Sequence, residues 1–209
     1  MRARDIMSAP VTVVRPGTSI KEAAALLAGG GFTALPVVDD GNALIGIVTE
    51  ADLVRDRVPR DPRSLRHPGG ADSADEVRVV TTTVGEVMST PVVAMGAGTD
   101  VAVLAKALLD AGQRSMPIVD GSRLVGIVTR RDIVRVIARD DTTIAADVRH
   151  RLEIYGGARR WRVAVHDGIV TIGDQFDDAT DRHVATVLAE SVPGVVRATA
   201  FAERDEDDR

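Results

Sequence analysis

The sequence contains no cysteine, which excludes disulfide bonds, thiol nucleophiles and cysteine-based zinc or iron–sulfur sites. Aromatic residues make up only 2% of the chain, so stacking platforms for single-stranded nucleic acid are nearly missing. The formal net charge is -5, and no excess of positive charge favours a polyanion, so we expect no nucleic-acid partner. No apolar run approaches the roughly 18 residues of a membrane helix, and no stretch resembles a signal peptide. We therefore expect a soluble, cytoplasmic protein.

An internal repeat organises the first two thirds of the chain. Three segments of the first copy return in the same order in the second copy, at an offset of 81 and then 80 residues. They are residues 5–13 (DIMSAPVTV) and 86–94 (EVMSTPVVA), 34–39 (ALPVVD) and 115–120 (SMPIVD), and 44–55 (LIGIVTEADLVR) and 124–135 (LVGIVTRRDIVR). The chain therefore contains two copies of one supersecondary unit.

Each copy predicts the order strand–helix–strand–strand–helix. In the first copy Ser19 begins a helix that the run Gly29–Gly31 ends. Two short apolar strands follow, and the second of them, Leu44–Val48, leads directly into a helix that begins near Thr49. Each unit alone exposes an apolar face, which pairing with the other copy covers. The predicted fold class is α/β (α+β), with two βαββα units packed as a pseudo-two-fold pair.

The junction between the last strand and the last helix is the most informative element of each copy. Thr49 and Asp52 mark it in the first copy, and Thr129 and Asp132 in the second. Free N–H groups at the start of a helix favour an anion, and an aspartate there can accept hydrogen bonds from the two hydroxyls of a ribose. The same Thr-x-x-Asp pattern is also an ordinary helix cap, and the two interpretations are compatible.

These motifs together resemble a pair of CBS domains, the module named after cystathionine beta-synthase. The resemblance covers residues 1–56 and 81–138. It implies a compact pair with two clefts that bind AMP, ADP or ATP, with S-adenosylmethionine and NAD as alternatives and no required cofactor. It also implies a homodimer formed through the pair.

Carried over by position, the resemblance implies that the two aspartates bind the ribose hydroxyls and that the two threonines bind the phosphate. Backbone groups would read the adenine edge, and two short segments would line the opposite wall. The implied nucleotide-binding residues are Val11, Thr12, Ala34, Leu35, Pro36, Thr49, Asp52, Val92, Val93, Ser115, Met116, Pro117, Thr129, Arg130, Arg131 and Asp132. Because Arg130 and Arg131 replace Glu50 and Ala51 of the first copy, we expect the second site to bind phosphates more tightly, unless these arginines are merely solvated.

Residues 142–202 predict a small domain with the order helix–strand–strand–helix–strand (αββαβ), with Asp167 and Gly168 as a hairpin turn and Val187 facing inward. The segments DGIVTI and VPGVV resemble a BON domain, although Asp174 stands where that family commonly has glycine. The resemblance implies a phospholipid or protein partner. Five arginines form a basic concentration that could meet such a partner, with ordinary solvated side chains as the alternative: Arg149, Arg151, Arg159, Arg160 and Arg162.

Two further segments complete the predicted organisation. Residues 57–80, rich in proline, glycine and charge, predict a linker whose arginines are an alternative contact for a phosphate, and residues 203–209 predict an acidic tail. The four histidines lie apart from other metal ligands, and neither a nucleophile motif nor a phosphate loop is present. We therefore predict no catalytic or metal-binding residues and a non-catalytic sensor of adenine nucleotides. The alternative is a dimerising adaptor whose BON-like domain binds phospholipid or protein.

Overall fold

The computed structural model describes residues 1–55 and 81–203, so the predicted linker and nearly all of the predicted acidic tail lie outside the described residues. Two compact units are present. The repeat unit comprises Ser8–Ala97 and Asp110–Ile127. The C-terminal unit comprises Met1–Met7, Gly98–Leu109 and Val128–Arg209. The secondary structure mixes helices and strands, as the sequence predicts.

The two repeat copies follow the predicted order of elements. The elements are α1 (Ile20–Gly30), β1 (Ala34–Val38), β2 (Leu44–Thr49), α2 (Glu50–Val54), β3 (Met95–Gly96), α3 (Val101–Asp110), β4 (Ser115–Asp120), β5 (Arg123–Thr129) and α4 (Arg130–Ile137). The strand β1 pairs antiparallel with β2, and β3, β4 and β5 form a second sheet in that order. In the first copy the leading strand is reduced to one parallel bridge between Val14 and Val37.

Local signals set the ends of α1, as predicted. The Ser19 side chain accepts a hydrogen bond from the backbone N–H of Glu22, and Gly31 ends the helix in the left-handed conformation with φ of 61°. The inner face of this helix packs on β1 and α2. One buried core cluster of the repeat unit comprises Val14, Ile20, Ala23, Leu27, Leu35, Val37, Val48, Leu53 and Val84.

Within the repeat unit the two copies make reciprocal backbone contacts. Ser8 forms a bridge with Ile127, and the equivalent Ser89 forms one with Ile47. A Cβ atom on Gly46 would lie 3.3 Å from the carbonyl oxygen of Ser89, so glycine allows this close approach. Each Met-Ser-x-Pro loop therefore attaches to the last strand of the other copy, as the predicted pairing of the copies requires.

The C-terminal region (residues 141–202) also has the predicted order of elements. It contains α5 (Asp141–Gly156), β6 (Trp161–His166), β7 (Ile169–Asp174), α6 (Ala179–Glu190) and β8 (Arg197–Ala202). The strand β7 pairs antiparallel with β6 and parallel with β8. Asp167 and Gly168 have φ of 48° and 73°, as the predicted hairpin turn requires. Its buried core consists of Ile144, Val148, Leu152, Trp161, Val170, Ile172, Ala185, Ala189, Val192 and Ala198.

Two predictions for the C-terminal region are wrong. Val187 is 54% exposed, because the small side chains of Ala185 and Ala189 form the buried face of α6 instead. Arg160 is not a solvated member of the basic concentration, since only 11% of its side chain is exposed and it forms ion pairs with Asp174 and Asp181. The other four arginines of that concentration are exposed.

The hairpin turn gives a test of this fold. Replacing Gly168 with alanine is expected to lower the free energy of unfolding by about 2 kcal/mol. The residue has a φ of 73°, and a Cβ there would lie 2.6 Å from the carbonyl oxygen of Gly194. Replacing Gly29 with alanine is the control, because a Cβ there meets nothing within 4 Å and alanine favours the helix by about 1 kcal/mol. Urea denaturation measures both, and equal effects of the two substitutions would contradict the turn geometry.

Candidate functional site

A cleft in the repeat unit collects residues from both copies. Its volume is about 640 Å³, within the range of roughly 300–1,000 Å³ typical of small-molecule sites. The first copy contributes the start of β1, the end of β2 and all but Leu53 of α2, while the second contributes the loop after Met88 and the segment that enters β4. The lining residues are Thr33, Ala34, Ile47, Thr49, Glu50, Ala51, Asp52, Val54, Ser89, Pro91, Val92, Val93, Gly112, Gln113, Arg114, Ser115 and Pro117.

Thr49 and Asp52 hold each other in a reciprocal cap at the start of α2. The backbone N–H and the hydroxyl of Thr49 donate to Oδ2 of Asp52 at 2.8 and 2.7 Å. The backbone N–H of Asp52 donates to Oγ1 of Thr49 at 3.4 Å. The predicted cap is confirmed. Among the described residues no partner occupies Oδ1 of Asp52, so this oxygen is free to accept a hydrogen bond from a ligand in the cleft.

The cap changes the role expected of Thr49. Its hydroxyl hydrogen is directed at the carboxylate of Asp52, and a hydroxyl has only one hydrogen to donate. A contact with a phosphate oxygen would require that bond to break. In this geometry Thr49 orients Asp52.

The charged groups of the cleft come from opposite copies. Arg114 precedes β4 of the second copy, and its Nη1 lies 3.6 Å from Oε2 of Glu50 at the start of α2. Both side chains are largely exposed, at 71% for Arg114 and 55% for Glu50. Ser115, which follows Arg114, is buried. The pair therefore lies at the solvent side of the cleft.

The structure brings part of the predicted site together. Seven predicted residues line the cleft: Ala34, Thr49, Asp52, Val92, Val93, Ser115 and Pro117. Leu35, Pro36 and Met116, which are buried in β1 and β4, do not line it. Sequence reasoning missed Arg114 and Ser89 as lining residues, and it expected the Glu50 carboxylate only to oppose phosphate. Ser89 belongs to the repeated Met-Ser-x-Pro segment, but only the pairing of the copies brings it and Arg114 into the cleft with α2.

The second copy repeats the cap but uses its charges differently. The Thr129 hydroxyl donates to Oδ2 of Asp132 at 2.7 Å, and Oδ1 of Asp132 accepts from Nη1 of Arg135 at 3.3 Å. Nη2 of Arg130 donates to the carbonyl oxygen of Leu108 at 2.9 Å, while its buried Nε has no hydrogen-bond partner among the described residues.

The structure describes three other predicted residues that do not line the cleft around Asp52. Arg131 is exposed, and Val11 and Thr12 are half-buried. The predicted preference of phosphates for the second site stays a prediction. Its physical basis is weaker than the sequence indicates, since Arg130 is already bonded to a backbone carbonyl.

Residues 1–55 and 81–203 contain no group of three or more histidine, aspartate or glutamate side chains able to hold a metal ion. Over the same residues no helix has the length and apolar character needed to cross a membrane.

Comparisons with known proteins give a consistent result. The CBS domain family model matches residues 3–58 and 84–139. The chloroplastic CBS domain-containing protein CBSX2 of Arabidopsis thaliana is 31% identical over 139 residues, which cover 59% of this chain and 57% of that protein. The uncharacterised protein MJ1404 of Methanocaldococcus jannaschii is 27% identical over 205 residues, which cover 96% of this chain and 44% of that protein. The chain thus spans about half the length of these curated relatives.

Solved structures of CBS domain pairs are also similar to this chain. The pair of protein MJ0100, in complex with 5′-methylthioadenosine and S-adenosyl-L-methionine, has a TM-score of 0.51 and 28% identity, covering 65% of this chain and 94% of that one. CBSX2 in complex with AMP has a TM-score of 0.52 and 29% identity, covering 64% of this chain and 93% of that one. The family model covers more than half of the 209 residues through both repeat copies, and the chain belongs to the CBS domain family.

Proposed function

We propose that this chain is a regulatory, non-catalytic sensor that binds an adenine nucleotide (AMP, ADP or ATP) in the cleft around Asp52. One observation carries the proposal: the cap with Thr49 fixes the Asp52 carboxylate in the cleft, and Oδ1 has no partner within residues 1–55 and 81–203. A fixed carboxylate oxygen suits the two hydroxyls of a ribose. The bound adenosine compounds in the MJ0100 pair and in CBSX2 support the choice of ligand class.

The rest of the cleft suits the other parts of such a ligand. Apolar side chains, among them Ile47, Val92 and Val93, offer a surface for the flat purine. Arg114 supplies a cation for a phosphate, and the buried Ser115 supplies a hydroxyl beside it. A small number of polar groups on an apolar lining is the usual composition of a cofactor or nucleotide site.

The C-terminal unit offers a route by which occupancy could be transmitted. The helix α4 begins at the cap formed by Thr129 and Asp132, and Arg139 follows its last residue by two positions. Nη1 of Arg139 donates to the carbonyl oxygen of Pro193 at 2.6 Å, and its Nη2 bonds to Asp147. In our proposal, a second ligand at the predicted site around Asp132, in addition to the one at Asp52, shifts α4 and with it the C-terminal region, and so selects between two pre-existing arrangements.

The BON-like nature of the C-terminal region belongs to the same proposal. The αββαβ order of residues 141–202 supports it. Asp174 departs from the glycine common in that family, and its carboxylate accepts a hydrogen bond from the backbone N–H of Phe176 in the turn. A phospholipid or protein partner of this region, the homodimer and the cytoplasmic location stay predictions. The adaptor is the competing function, with the four exposed arginines as its anionic-surface contact.

Thermal unfolding tests the proposed function. Saturating AMP is expected to raise the melting temperature of the chain, because a ligand at about 100 times its Kd stabilises the folded state by about 2.7 kcal/mol. ATP, NAD and S-adenosylmethionine are compared at the same concentration, and GMP serves as the matched control for the base. If no adenosine compound raises the melting temperature while the protein sediments with anionic vesicles, the sensor fails and the adaptor is favoured.

A further inference from the structure

Resting on the proposed function, we infer that the cleft around Asp52 selects adenosine ligands with little negative charge at the 5′ position, and that Glu50 is the residue that discriminates against di- and triphosphates. AMP or an uncharged 5′ derivative is then the ligand of this cleft, and ATP is not.

The charges that line the cleft are unbalanced. Among its described lining residues are two carboxylates, Glu50 and Asp52, and a single cation, Arg114. The cation already lies 3.6 Å from Glu50, which offsets its charge. Asp52 is committed to the cap with Thr49. An entering anion therefore meets a surface with a net negative charge.

A single phosphate can be accommodated at this surface. The pair of Arg114 and Glu50 is exposed to solvent, so it contributes little stability and is easily exchanged. A 5′-monophosphate carries about −1.5 to −2 charges at pH 7 and can take over the guanidinium of Arg114. Each additional phosphate adds charge without a second cation among the described lining residues. The added charge lies near the Glu50 carboxylate, which has lost Arg114 as its partner because the guanidinium now binds the first phosphate.

The second copy supports a specialised role for Glu50. At the equivalent position that copy has Arg130, so the two copies carry opposite charges immediately after the capping threonine. The caps themselves are the same, with hydroxyl-to-carboxylate distances of 2.7 Å in both copies. The residue after the threonine is thus free to vary while the cap is kept. A charge at this position can therefore tune the ligand without altering the cap.

Calorimetric titration with AMP, ATP and 5′-methylthioadenosine tests the inference. The wild-type chain is expected to bind AMP about fivefold more tightly than ATP, the size of one like-charge contact at about 4 Å in water. Glu50→Gln should raise ATP affinity about fivefold and leave 5′-methylthioadenosine within about twofold. Arg114→Gln should weaken AMP and also leave 5′-methylthioadenosine unchanged. Glu22→Gln, an exposed glutamate of α1 outside the cleft, is the matched control and should change nothing.

The outcomes separate this inference from the proposed function. All titrations are repeated on an Asp132→Asn background, so that binding at the second predicted site does not contribute. If none of the three ligands binds to the wild-type chain, the proposed function itself fails. If ligands bind but ATP is as tight as AMP, or if Glu50→Gln leaves the ratio of ATP to AMP affinity unchanged, the inference about Glu50 is overturned and the adenosine site stands.

Discussion

Replacing Arg160 with alanine is expected to lower the free energy of unfolding of the C-terminal unit by about 3–5 kcal/mol, because a buried carboxylate would lose its partner. Nε and Nη2 of Arg160 donate to the two carboxylate oxygens of Asp174 at 2.8 and 3.0 Å. Nη1 lies 2.6 Å from Asp181. The Asp174 side chain has no exposed surface. The fluorescence of Trp161, the only tryptophan of the chain, reports on this core during urea denaturation.

Arg162→Ala is the matched control for this substitution. Arg162 is two residues further along the chain, pairs with Glu203 at 3.2 Å and has a side chain that is 81% exposed. Its loss should cost less than about 1 kcal/mol, as is usual for an exposed ion pair. Equal destabilisation by the two substitutions would contradict the structural role assigned to Arg160.

The same pair gives the C-terminal unit a defined dependence on pH. Burial is the largest single influence and would by itself raise the pKa of Asp174. The hydrogen bonds from Arg160 and from the backbone N–H of Phe176, with the positive charges of Arg160 and Arg182, together outweigh it and hold the pKa below its usual value. A lowered pKa in the folded state means that the stabilisation is present above the unfolded-state pKa of about 3.9. It is lost as the pH falls below that value. The difference in stability between the wild-type chain and Arg160→Ala should therefore shrink in acid.

Local features of the fold could be predicted because their causes lie within a few residues. The caps at Ser19, Thr49 and Thr129 each depend on a side chain and a backbone N–H three residues apart. The left-handed helix end depends on Gly31, and the hairpin turn depends on the Asp-Gly pair of Asp167 and Gly168. The internal repeat then indicates the pairing of the copies without any further information.

The content of the candidate cleft could be predicted only in part. Asp52 was expected there because the repeat marks it twice. Arg114 was not, because it reaches α2 of the first copy only after the second copy has folded against it. Nothing within its own segment shows which charge it will meet. A sequence pattern predicts the caps of such a site better than the side chains that arrive from the other copy.

The burial of Arg160 could have been inferred from the sequence, because the hairpin turn fixes the register in which β6 pairs with β7. A two-residue turn at Asp167 and Gly168 places His166 opposite Ile169 and therefore Trp161 opposite Asp174. Arg160 precedes Trp161, so a basic and an acidic group meet at the same end of the hairpin. Grouping the arginines by closeness in sequence concealed this cross-strand pairing.

Replacing Asp52 with alanine is expected to weaken AMP binding about 10- to 100-fold, because hydrogen bonds to a charged group are worth about 1.5–3 kcal/mol. The substitution also removes the cap on α2, at a cost of about 1 kcal/mol in stability. Asp178→Ala is the matched control, since Asp178 caps α6 with bonds to the N–H groups of Thr180 and Asp181 and lies outside the cleft. It should lower stability by a similar amount and leave AMP affinity unchanged. Titration calorimetry measures both affinities.

The most direct test compares AMP with 2′,3′-dideoxy-AMP on the wild-type chain and on Asp52→Ala, because only the free Oδ1 of Asp52 is proposed to bind the ribose hydroxyls. The dideoxy compound is expected to bind the wild-type chain about tenfold or more weakly than AMP, and the two ligands should bind Asp52→Ala with similar affinities. Equal affinities on the wild-type chain, or a penalty for the dideoxy compound that persists undiminished in Asp52→Ala, would contradict the placement of the ribose at this carboxylate.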